Sequence, residues 1–478
     1  MSNRMEDLTG VTLTAESGRK YKLTKQAGSG AQGVVYEENG NNYMVKLYYP
    51  SGSESIDADV LDRLRFIKDI TMPKNFVSII DLITHPYIGY VMEKVTEHKP
   101  LNSYLIPDRN VSFPKWYNQG LGLYERIFVG YIIAKAFGEL EKSNLSYCDI
   151  SGNNILIKIA KGASVKMIDV DSIYTAGKGK SAILGTPRYI APEVISRQKN
   201  PDVLSDNYSL AVILFELLRV GHPYISDDVL DGTPEDEENA LAGNADYVTD
   251  DNSTNMLPAD IVFTDKLKEL FRRCFEDGKH NRLSRPSATE FEQALLEASN
   301  KVIKCPSCGA WHYPRKDGKF YAGCPWCDSP SRPKAMLNFY DILFEGTDYQ
   351  TGKILDSKAG KKLVNTYVLK ESRKNLVKGL YVLRFDDPSK ERRTADNYIT
   401  IAHNEQGYHA YNEFGKDGIV IKQYGTNKYI RVGKNKALQL HSGDEIYFEM
   451  DTNKAIGIEC GGKKYSFIRM ARFMEEKT

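Results

Sequence analysis

The chain has 478 residues, which corresponds to about three domains at roughly 150 residues each. Hydrophobic residues make up 41% and charged residues 27%, a composition typical of soluble globular proteins and unlike that of disordered chains. The 64 basic and 63 acidic residues give a formal net charge of +1, which excludes a globally basic nucleic-acid binder but leaves local patches open.

Neither a membrane span nor a secretion signal is expected. The longest apolar run, Tyr208 to Leu218, contains a glutamate and is far shorter than the ~20 residues that a bilayer requires. The first ten residues lack a hydrophobic signal core, so the sequence predicts a cytoplasmic protein. Because that compartment is reducing, the seven cysteines predict no disulfide framework.

Residues 10–95 alternate between strand-like and turn-like segments and include one helical pattern. Asn39-Gly40 lies between alternating segments and predicts a tight hairpin turn. Apolar residues recur with helical spacing from Ile56 to Ile70, which predicts the helix.

A glycine-rich segment, Gly28 to Tyr36, lies between two of the predicted strands. Glycines let backbone N–H groups approach phosphates without obstruction by a Cβ atom. Since a strand follows and not a helix, a dinucleotide-binding fold is disfavoured, although a plain glycine hairpin would show the same local pattern. Lys46 lies in the next strand after an apolar run, which favours a buried phosphate-pairing lysine over a surface charge.

Residues 121–143 and 205–220 have helical periodicity and lack proline, which predicts core helices of a second, mostly helical lobe. Between them, Asp149 and Asn154 lie in a turn-like segment before an apolar strand, and Asp169 ends the next apolar segment. A carboxylate accepts a hydroxyl proton, and carboxylate and amide oxygens bind Mg²⁺. These segments therefore predict phosphate and metal chemistry.

The order and spacing of these segments resemble those of eukaryotic-like bacterial serine/threonine protein kinases across roughly residues 10–300. The most specific element is the run Gly185-Thr186-Pro187-Arg188-Tyr189-Ile190-Ala191-Pro192-Glu193, which related small-molecule kinases lack. The resemblance implies a bilobal kinase fold with an N-lobe over residues 10–95 and a C-lobe over residues 96–300. It also implies ATP and Mg²⁺ as cofactors and a protein as substrate.

The resemblance further implies the roles of individual residues. Asp149 would be the catalytic base, Asn154 and Asp169 the Mg²⁺ ligands, and Lys46 the partner of the α- and β-phosphates. Thr186 would contact the base, as in serine/threonine kinases. The implied ATP-binding residues are Gly28, Gly30, Gly33, Val35, Lys46, Met92, Glu93 and Val95. Glu193, Asp206 and Arg285 would have structural roles.

Four departures from the family pattern bear on activity. Tyr147-Cys148 replaces the usual His-Arg, which removes a cation that a phosphorylated activation segment would bind. Ser151 replaces a lysine near the transferring phosphate, and Asp171 replaces a glycine. Fourth, no glutamate lies between residues 55 and 92, so a partner of Lys46 on this helix would have to be Asp59, Asp62 or the early Glu54, and the sequence leaves open which of them, if any, it is.

These departures keep a second hypothesis open beside the active kinase. It is a pseudokinase scaffold that binds nucleotide and organises partner proteins through the domains that follow. The Asp169-Val170-Asp171-Ser172 segment and the short loop from Asp149 to Asn154 are similar to those of bacterial kinases associated with von Willebrand factor A domain proteins and metal-dependent protein phosphatases. That similarity implies such proteins as partners.

The segment from Gly221 to Thr264 contains 11 acidic residues and no lysine or arginine. Its cluster Glu235 to Glu238 follows Thr233-Pro234, which predicts a helix start with acidic residues in the first turn. A solvated acidic surface and a docking site for a basic partner are both compatible with this pattern.

Cys305, Cys308, Cys324 and Cys327 form two C-x2-C pairs separated by 15 residues. Four thiolates at this spacing predict a closed, structural Zn²⁺ site, and residues 301–333 resemble a zinc ribbon. Ser329 to Pro333 predicts a linker after it. A third hypothesis, a regulator whose ribbon contacts nucleic acid, is disfavoured by the near-zero net charge.

Beyond residue 333, short segments rich in Tyr, Ile, Val and Phe recur between turn residues and predict an all-β sandwich over residues 334–478. The predicted strands are Leu380 to Phe385, Tyr398 to Ala402, Gly418 to Gln423, Lys428 to Val432, Glu445 to Met450 and Lys464 to Met470. The complete chain is therefore predicted to be an α+β protein.

This last domain resembles forkhead-associated (FHA) domains, which are sandwiches that bind phosphothreonine through loops. Arg392 falls at the family's phosphate-binding arginine, His409 at its structural histidine, and Thr426-Asn427 at its loop pair. Gln406 replaces the phosphate-binding serine and Glu391 the preceding glycine. Since charge-assisted phosphate binding needs more donors than remain, we expect a sandwich that binds a partner protein without requiring phosphothreonine.

Overall fold

The computed structural model describes residues 5–476 except 161, 176–184, 315, 318–319, 322, 345–346, 349–352, 355–360, 370, 372–374, 379–380, 384–398, 413–418, 427, 448–457 and 461–462. The chain divides into two compact units, Met1–Leu296 and Glu297–Thr478. Among the described residues, no helix combines the length and the apolar character needed to cross a bilayer.

The first unit begins with an antiparallel sheet of strand order β1-β2-β3-β4-β6-β5. Alternation along its strands directs Tyr21, Leu23, Tyr36 and Val45 into a buried core. The strands are β1 (Thr12–Thr14), β2 (Lys20–Ser29), β3 (Gly33–Glu38), β4 (Tyr43–Tyr48), β5 (Ile79–Ile83) and β6 (Gly89–Glu93). Helix α1 (Glu54–Asp69), whose buried residues are Leu64 and Ile67, contacts β5 and confirms the helix predicted in this region.

The rest of the first unit is mostly helical, and the long helices α3 and α5 form its centre. Both were predicted, and nearly every residue of α5 from Ser205 to Arg219 is buried. Thr233 caps α7 as the sequence predicted, and its side chain and that of Asp236 bond reciprocally to backbone N–H groups. The helices are α2 (Phe113–Asn118), α3 (Leu123–Lys142), α4 (Pro192–Ile195), α5 (Val203–Arg219), α6 (Asp227–Leu230), α7 (Pro234–Asn239), α8 (Ala259–Val262), α9 (Asp265–Arg272), α10 (Gly278–His280) and α11 (Ala288–Lys301).

Short strands in the helical part bring the predicted metal-binding residues together. The strands are β7 (Lys99–Pro100), β8 (Leu145–Ser146), β9 (Ile155–Ala160), β10 (Gly162–Met167) and β11 (Tyr174–Thr175). β9 pairs antiparallel with β10, so that Ile155 lies opposite Met167. Asn154 immediately before β9 therefore lies beside Ile168 after β10, and the N–H of Ile168 donates a 2.9 Å hydrogen bond to the carbonyl of Asn154.

The second unit contains two antiparallel sheets with a common core. One has the strand order β19-β16-β29-β27-β24-β25, with β28 paired to β29, and the other has the order β21-β20-β22-β23-β26. Phe339, Ile401, Tyr408 and Phe473 come from different strands of the two sheets and share one buried cluster. This arrangement is a β-sandwich.

The strands of this unit are β12 (Ile303–Lys304), β13 (Trp311–His312), β14 (Lys316–Asp317), β15 (Phe320–Tyr321), β16 (Ala335–Phe344), β17 (Thr347–Asp348), β18 (Lys353–Ile354), β19 (Lys361–Val368), β20 (Asn375–Lys378), β21 (Tyr381–Leu383), β22 (Ile399–Asn404), β23 (Gly407–Tyr411), β24 (Ile419–Lys422), β25 (Tyr429–Val432), β26 (Ala437–Gln439), β27 (Glu445–Tyr447), β28 (Ile458–Cys460) and β29 (Lys463–Glu475). All six predicted strand segments overlap strands of this set.

The predicted linker, Ser329 to Pro333, is more ordered than its composition indicates. Ser331 is buried, and its hydroxyl lies 2.8 Å from Nε2 of the buried His312. Arg332 pairs with Glu476 at 2.6 Å. The polar side chains of this segment are therefore anchoring groups, which a turn-rich composition alone does not reveal.

Candidate active site

A cleft of about 860 Å³ lies between the sheet and the helical part of the first unit. All the residues that the sequence predicted to bind ATP line it, together with Asp149 and Asp169. Asn154 is buried and is not one of the residues that line the cleft, although its neighbour Asn153 is.

The glycine-rich segment forms the end of β2 and the start of β3, and Gly30 N–H donates a 2.9 Å hydrogen bond to the Gly33 carbonyl. A Cβ atom at Gly33 would lie 2.1 Å from the carbonyl oxygen of Leu47, so a glycine is required there by the close approach of β4. A Cβ atom at Gly28 or Gly30 would meet nothing within 4 Å. These two positions leave the backbone open to the cleft, as a phosphate cradle requires.

Lys46 of β4 is buried, and its ammonium group binds two aspartates. Its Nζ atom lies 2.9 Å from Asp169 Oδ1 and 3.0 Å from Asp171 Oδ2. Burial lowers the pKa of Lys46, but the charges of Asp171 and Asp169 outweigh burial and leave that pKa above its ordinary value. The lysine is therefore a fixed positive charge in the cleft.

The helix carboxylates predicted to pair with Lys46 do not do so. Glu54, Asp59 and Asp62 are all exposed on helix α1, and Asp62 lies 3.5 Å from Arg65 instead. The prediction was wrong because it assumed that the partner lies on the helix. In the structure, Asp171 pairs with Lys46 instead.

Asp149 is held from two sides. Thr186 Oγ1 donates a 2.8 Å hydrogen bond to Asp149 Oδ1, and Asn154 Nδ2 donates a 3.0 Å hydrogen bond to Oδ2. Asn154 Nδ2 also lies 2.9 Å from the Asp149 carbonyl. The aspartate side chain consequently has one orientation, toward the cleft that it lines.

The backbone before Asp149 is fixed by the buried Asp206 of α5. Its carboxylate accepts hydrogen bonds from the N–H groups of Tyr147, at 2.5 Å, and Cys148, at 3.0 Å. Burial raises the pKa of Asp206 to about 7, although both backbone hydrogen bonds oppose that shift. Cys148 adopts a left-handed conformation with φ of 68°, so the loop makes a sharp bend just before Asp149.

Three tyrosines around this site have roles that the sequence did not predict. The Tyr147 hydroxyl donates to the Ile168 carbonyl and so ties the loop to the segment that bears Asp169. Tyr48 and Tyr90 donate to the carboxylate of Asp171. The sequence carried only an indirect signal: an additional aspartate follows Asp169, while helix α1 has no glutamate after Glu54.

The residues at the metal end of the cleft fit a magnesium ion by their chemistry. Asp169 follows β10 with φ of 59°, and 35% of its side chain is exposed. The hydrogen bonds of Asn154 to Asp149 use its amide nitrogen and leave its amide oxygen for another contact. Carboxylate and amide oxygens are the hard ligands that Mg²⁺ prefers.

The kinase-like run that ends at Glu193 is anchored by ion pairs in the helical part. Arg285 Nη1 and Nη2 each lie 2.8 Å from a carboxylate oxygen of Glu193, and Arg282 Nε lies 2.8 Å from Glu193 Oε1. Burial opposes ionisation of Glu193, but the hydrogen bonds and charge of Arg285 outweigh it and keep the pKa of Glu193 below its ordinary value. This bidentate pair fixes the segment after Thr186.

In the second unit, the sulfur atoms of Cys305, Cys308, Cys324 and Cys327 lie within 4.8 Å of one another. The Cys305–Cys327 and Cys308–Cys324 sulfur separations are 3.7 and 3.8 Å. A tetrahedron with Zn–S bonds of about 2.3 Å has sulfur–sulfur edges of about 3.8 Å. The four thiols therefore fit a zinc ion.

The residues predicted to form a phosphothreonine pocket are only partly described. Arg392 and Asn427 lie outside the described residues. His409 is buried, with Nδ1 3.0 Å from the Gly407 carbonyl, whereas Thr426 is exposed and its hydroxyl lies 3.3 Å from the Gln423 carbonyl. Gln406 lies in the exposed turn between β22 and β23.

Comparison with known proteins adds a family match over the first unit. The sequence pattern of the protein kinase domain matches residues 21–295. The chain is 23% identical over 368 residues to the protein kinase YegI of Escherichia coli, an alignment that covers 70% of this chain and 52% of that protein.

A plant relative gives a similar result. The chain is 24% identical over 243 residues to CBL-interacting serine/threonine-protein kinase 20 of Arabidopsis thaliana, covering 47% of this chain and 50% of that one. The chain thus spans about half the length of each of these two relatives.

Proposed function

Because the chain belongs to the protein kinase family, we propose that it transfers the γ-phosphoryl group of ATP to serine or threonine hydroxyl groups of partner proteins, in a reaction that requires Mg²⁺. The observation that carries this proposal is the presence of Lys46, Asp149 and Asp169 on the walls of one cleft. Acid–base, phosphate-binding and metal-binding groups are then within reach of one nucleotide.

The chain's own residues supply most of the chemistry. Thr186 and Asn154 hold Asp149, which accepts the proton of the substrate hydroxyl. As that proton leaves, the hydroxyl oxygen of the substrate forms a bond to the γ-phosphorus of ATP. The bond from that phosphorus to the bridging oxygen breaks, and ADP leaves. Lys46 holds the α- and β-phosphates through its ammonium group, while the backbone at Gly28 and Gly30 covers them.

Asn154 and Asp169 would hold the Mg²⁺ ion through their oxygens. When bound, the ion neutralises charge on the phosphates during transfer. Lys46, Asp149, Asn154 and Asp169 then each have a chemical task, and the segment bearing Asp169 keeps its place because Tyr147 bonds to it.

The proposal is tested by phosphotransfer from radiolabelled ATP, with the purified full chain and its Asp149→Asn variant. We expect incorporation by the wild type, with phosphoserine or phosphothreonine after acid hydrolysis. The variant should bind nucleotide but lose ~10²- to 10⁴-fold in rate, the usual contribution of a general base. Equal rates in both proteins, or transfer to tyrosine alone, would contradict the proposal.

Ser151 favours a second function, the pseudokinase scaffold. This buried residue stands where the resemblance implies a lysine. The protein therefore has one positive charge fewer near the phosphate that is transferred. Nucleotide binding without transfer to any acceptor would support the scaffold and overturn the kinase.

The second unit is proposed to serve assembly. A Zn²⁺ ion held by the four cysteines would stabilise a ribbon, and the sandwich would bind partner proteins as a divergent FHA-like domain. The resemblance at the sequence level suggests two partner classes for the assay: proteins with a von Willebrand factor A domain and metal-dependent protein phosphatases. Both are therefore the first acceptors to test with the full chain.

A further inference from the structure

Asp171 is buried at the back of the cleft, where donors surround its carboxylate. Lys46 Nζ lies 3.1 Å from Oδ1 and 3.0 Å from Oδ2. The Tyr48 hydroxyl donates to Oδ2, and the Tyr90 hydroxyl lies 3.3 Å from Oδ1. Since an unpaired buried carboxylate would be very costly, this shell fixes both the position and the charge of Asp171.

Both members of the Lys46–Asp171 pair lie on fixed backbone. Lys46 is on β4, which is paired to β3 on one side and β6 on the other. Asp171 lies in the turn from Val170 to Ser172, and the Ser172 hydroxyl donates a 2.7 Å hydrogen bond to the Tyr147 carbonyl. The separation of the pair is therefore set by the sheet and by the hydrogen bond that ties this turn to Tyr147.

The side chain through which helix α1 acts on this site is positively charged. It packs against the turn from Val170 to Ser172, and the positive charge of its Arg63 favours the ionised form of Asp171. A guanidinium group next to Asp171 would repel an ammonium group. Arg63 therefore acts on the carboxylate and cannot take the place of an acidic partner for Lys46.

We propose that Asp171 is the positioning residue that holds the Lys46 ammonium group at the phosphate end of the cleft, in place of a carboxylate on helix α1. The inference rests on the proposed nucleotide-binding function and specifies how this chain meets its lysine requirement. It follows that no carboxylate of helix α1 is needed to hold Lys46.

The test is a double-mutant cycle on Mg·ADP binding, measured by calorimetry with the full chain, because that readout does not depend on phosphotransfer. Lys46→Met should weaken Mg·ADP binding by about tenfold when Asp171 is present, since it removes one charge-assisted hydrogen bond. In the Asp171→Asn background, the same Lys46→Met change should cost less than about threefold, because Asp169 is then the remaining carboxylate partner of the lysine and holds it less firmly.

The matched control is Asp62→Asn, which removes an exposed carboxylate from helix α1. In that background, Lys46→Met should keep its full tenfold cost. If Asp171→Asn does not fold, as judged by its melting temperature, Asp171→Gly is used instead. Glycine adds no polar side chain to this buried position and also removes the charge.

An equal cost of Lys46→Met with and without the Asp171 carboxylate would overturn the inference, as would loss of that cost in the Asp62→Asn background. Phosphotransfer by the wild type is measured in parallel. Absence of transfer together with an intact binding cycle would remove the kinase proposal and leave the positioning role of Asp171 standing.

Discussion

The hydroxyl of Thr186 donates a 2.8 Å hydrogen bond to Oδ1 of Asp149, although the two residues are 37 positions apart in the sequence. Gly185 makes this contact possible. Its φ is 91°, and a Cβ atom there would lie 2.7 Å from the Cys148 carbonyl. At Gly185 the chain therefore approaches the loop that carries Asp149 in a conformation that favours glycine, and the side chain of Thr186 is directed at the aspartate.

We expect Thr186→Val to lower kcat and Thr186→Ser to retain most of it. Valine removes the donor to a charged acceptor, a change worth about 1.5–3 kcal/mol, or roughly a 10- to 100-fold effect on rate. Steady-state phosphotransfer kinetics measure both variants, and the KM for ATP should change little. A valine variant as fast as the wild type would contradict a role for the hydroxyl, and a slow serine variant would show that the methyl group matters as well.

We expect one Zn²⁺ ion per chain, bound by Cys305, Cys308, Cys324 and Cys327. Metal analysis of the purified protein checks the stoichiometry, and alkylation should leave these thiols unmodified until a chelator is added. Since a structural zinc site contributes folding energy locally, Cys324→Ser should release the metal and leave Mg·ADP binding largely intact. Cys274→Ser, which changes a buried cysteine of the first unit, is the control that should retain zinc.

The stability that His222 contributes to the first unit should fall as the pH drops below about 6.5, the ordinary pKa of histidine. Burial and the charge of Arg188 keep the pKa of His222 well below that value, against a 3.0 Å hydrogen bond from Nε2 to the Arg188 carbonyl. Between the two pKa values the unfolded chain binds a proton that the folded chain does not. Stability contributed by this histidine is therefore complete above pH 6.5 and is lost with acid.

Chemical denaturation of the full chain at pH 7.5 and 5.5 measures this effect. Linkage predicts that His222 accounts for a loss of about 1.4 kcal/mol between those pH values. The His222→Gln variant should lack this loss, so that between pH 7.5 and 5.5 its stability falls less, or rises more, than that of the wild type. The exposed His280→Gln variant should behave like the wild type. Equal pH dependence in all three proteins would contradict the assignment.

The sandwich should bind a partner protein without a requirement for phosphothreonine. Gln406 is longer than the serine that the FHA pocket requires, and the absence of each charge-assisted hydrogen bond weakens binding by roughly ten- to a hundred-fold. Calorimetry of the full chain against a phosphothreonine peptide library tests this. Micromolar binding that both dephosphorylation and Arg392→Ala abolish would show instead that the domain binds phosphothreonine.

Local patterns predicted the elements of the first unit well, because periodicity and turn residues act over a few neighbours. Helix α1, predicted from Ile56, begins at Glu54, and α5 begins at Val203, two residues before its predicted start. The error on the partner of Lys46 has another cause. Asp171 lies 125 residues away, and the contact depends on how the sheet and the turn after β10 meet in space.

In the second unit, strands β16 and β19 were not among the predicted segments. The sequence of β19 begins with two lysines, and its pairing with β16 shifts register between Phe339 and Tyr340. Such irregularity weakens the alternation on which strand prediction depends. Tyr367 of β19 and Leu337 of β16 are nonetheless completely buried, because the opposite sheet covers them.

The buried position of Asp171 also bears on the design of inhibitors. A compound that took the place of the Asp171 side chain would have to displace a carboxylate that Lys46, Tyr48 and Tyr90 hold, and so would leave charged and polar groups without partners. A compound confined to other lining residues, such as Val35 and Glu93, would leave those bonds intact. Screening libraries for this protein are therefore best built from compounds too short to reach Asp171.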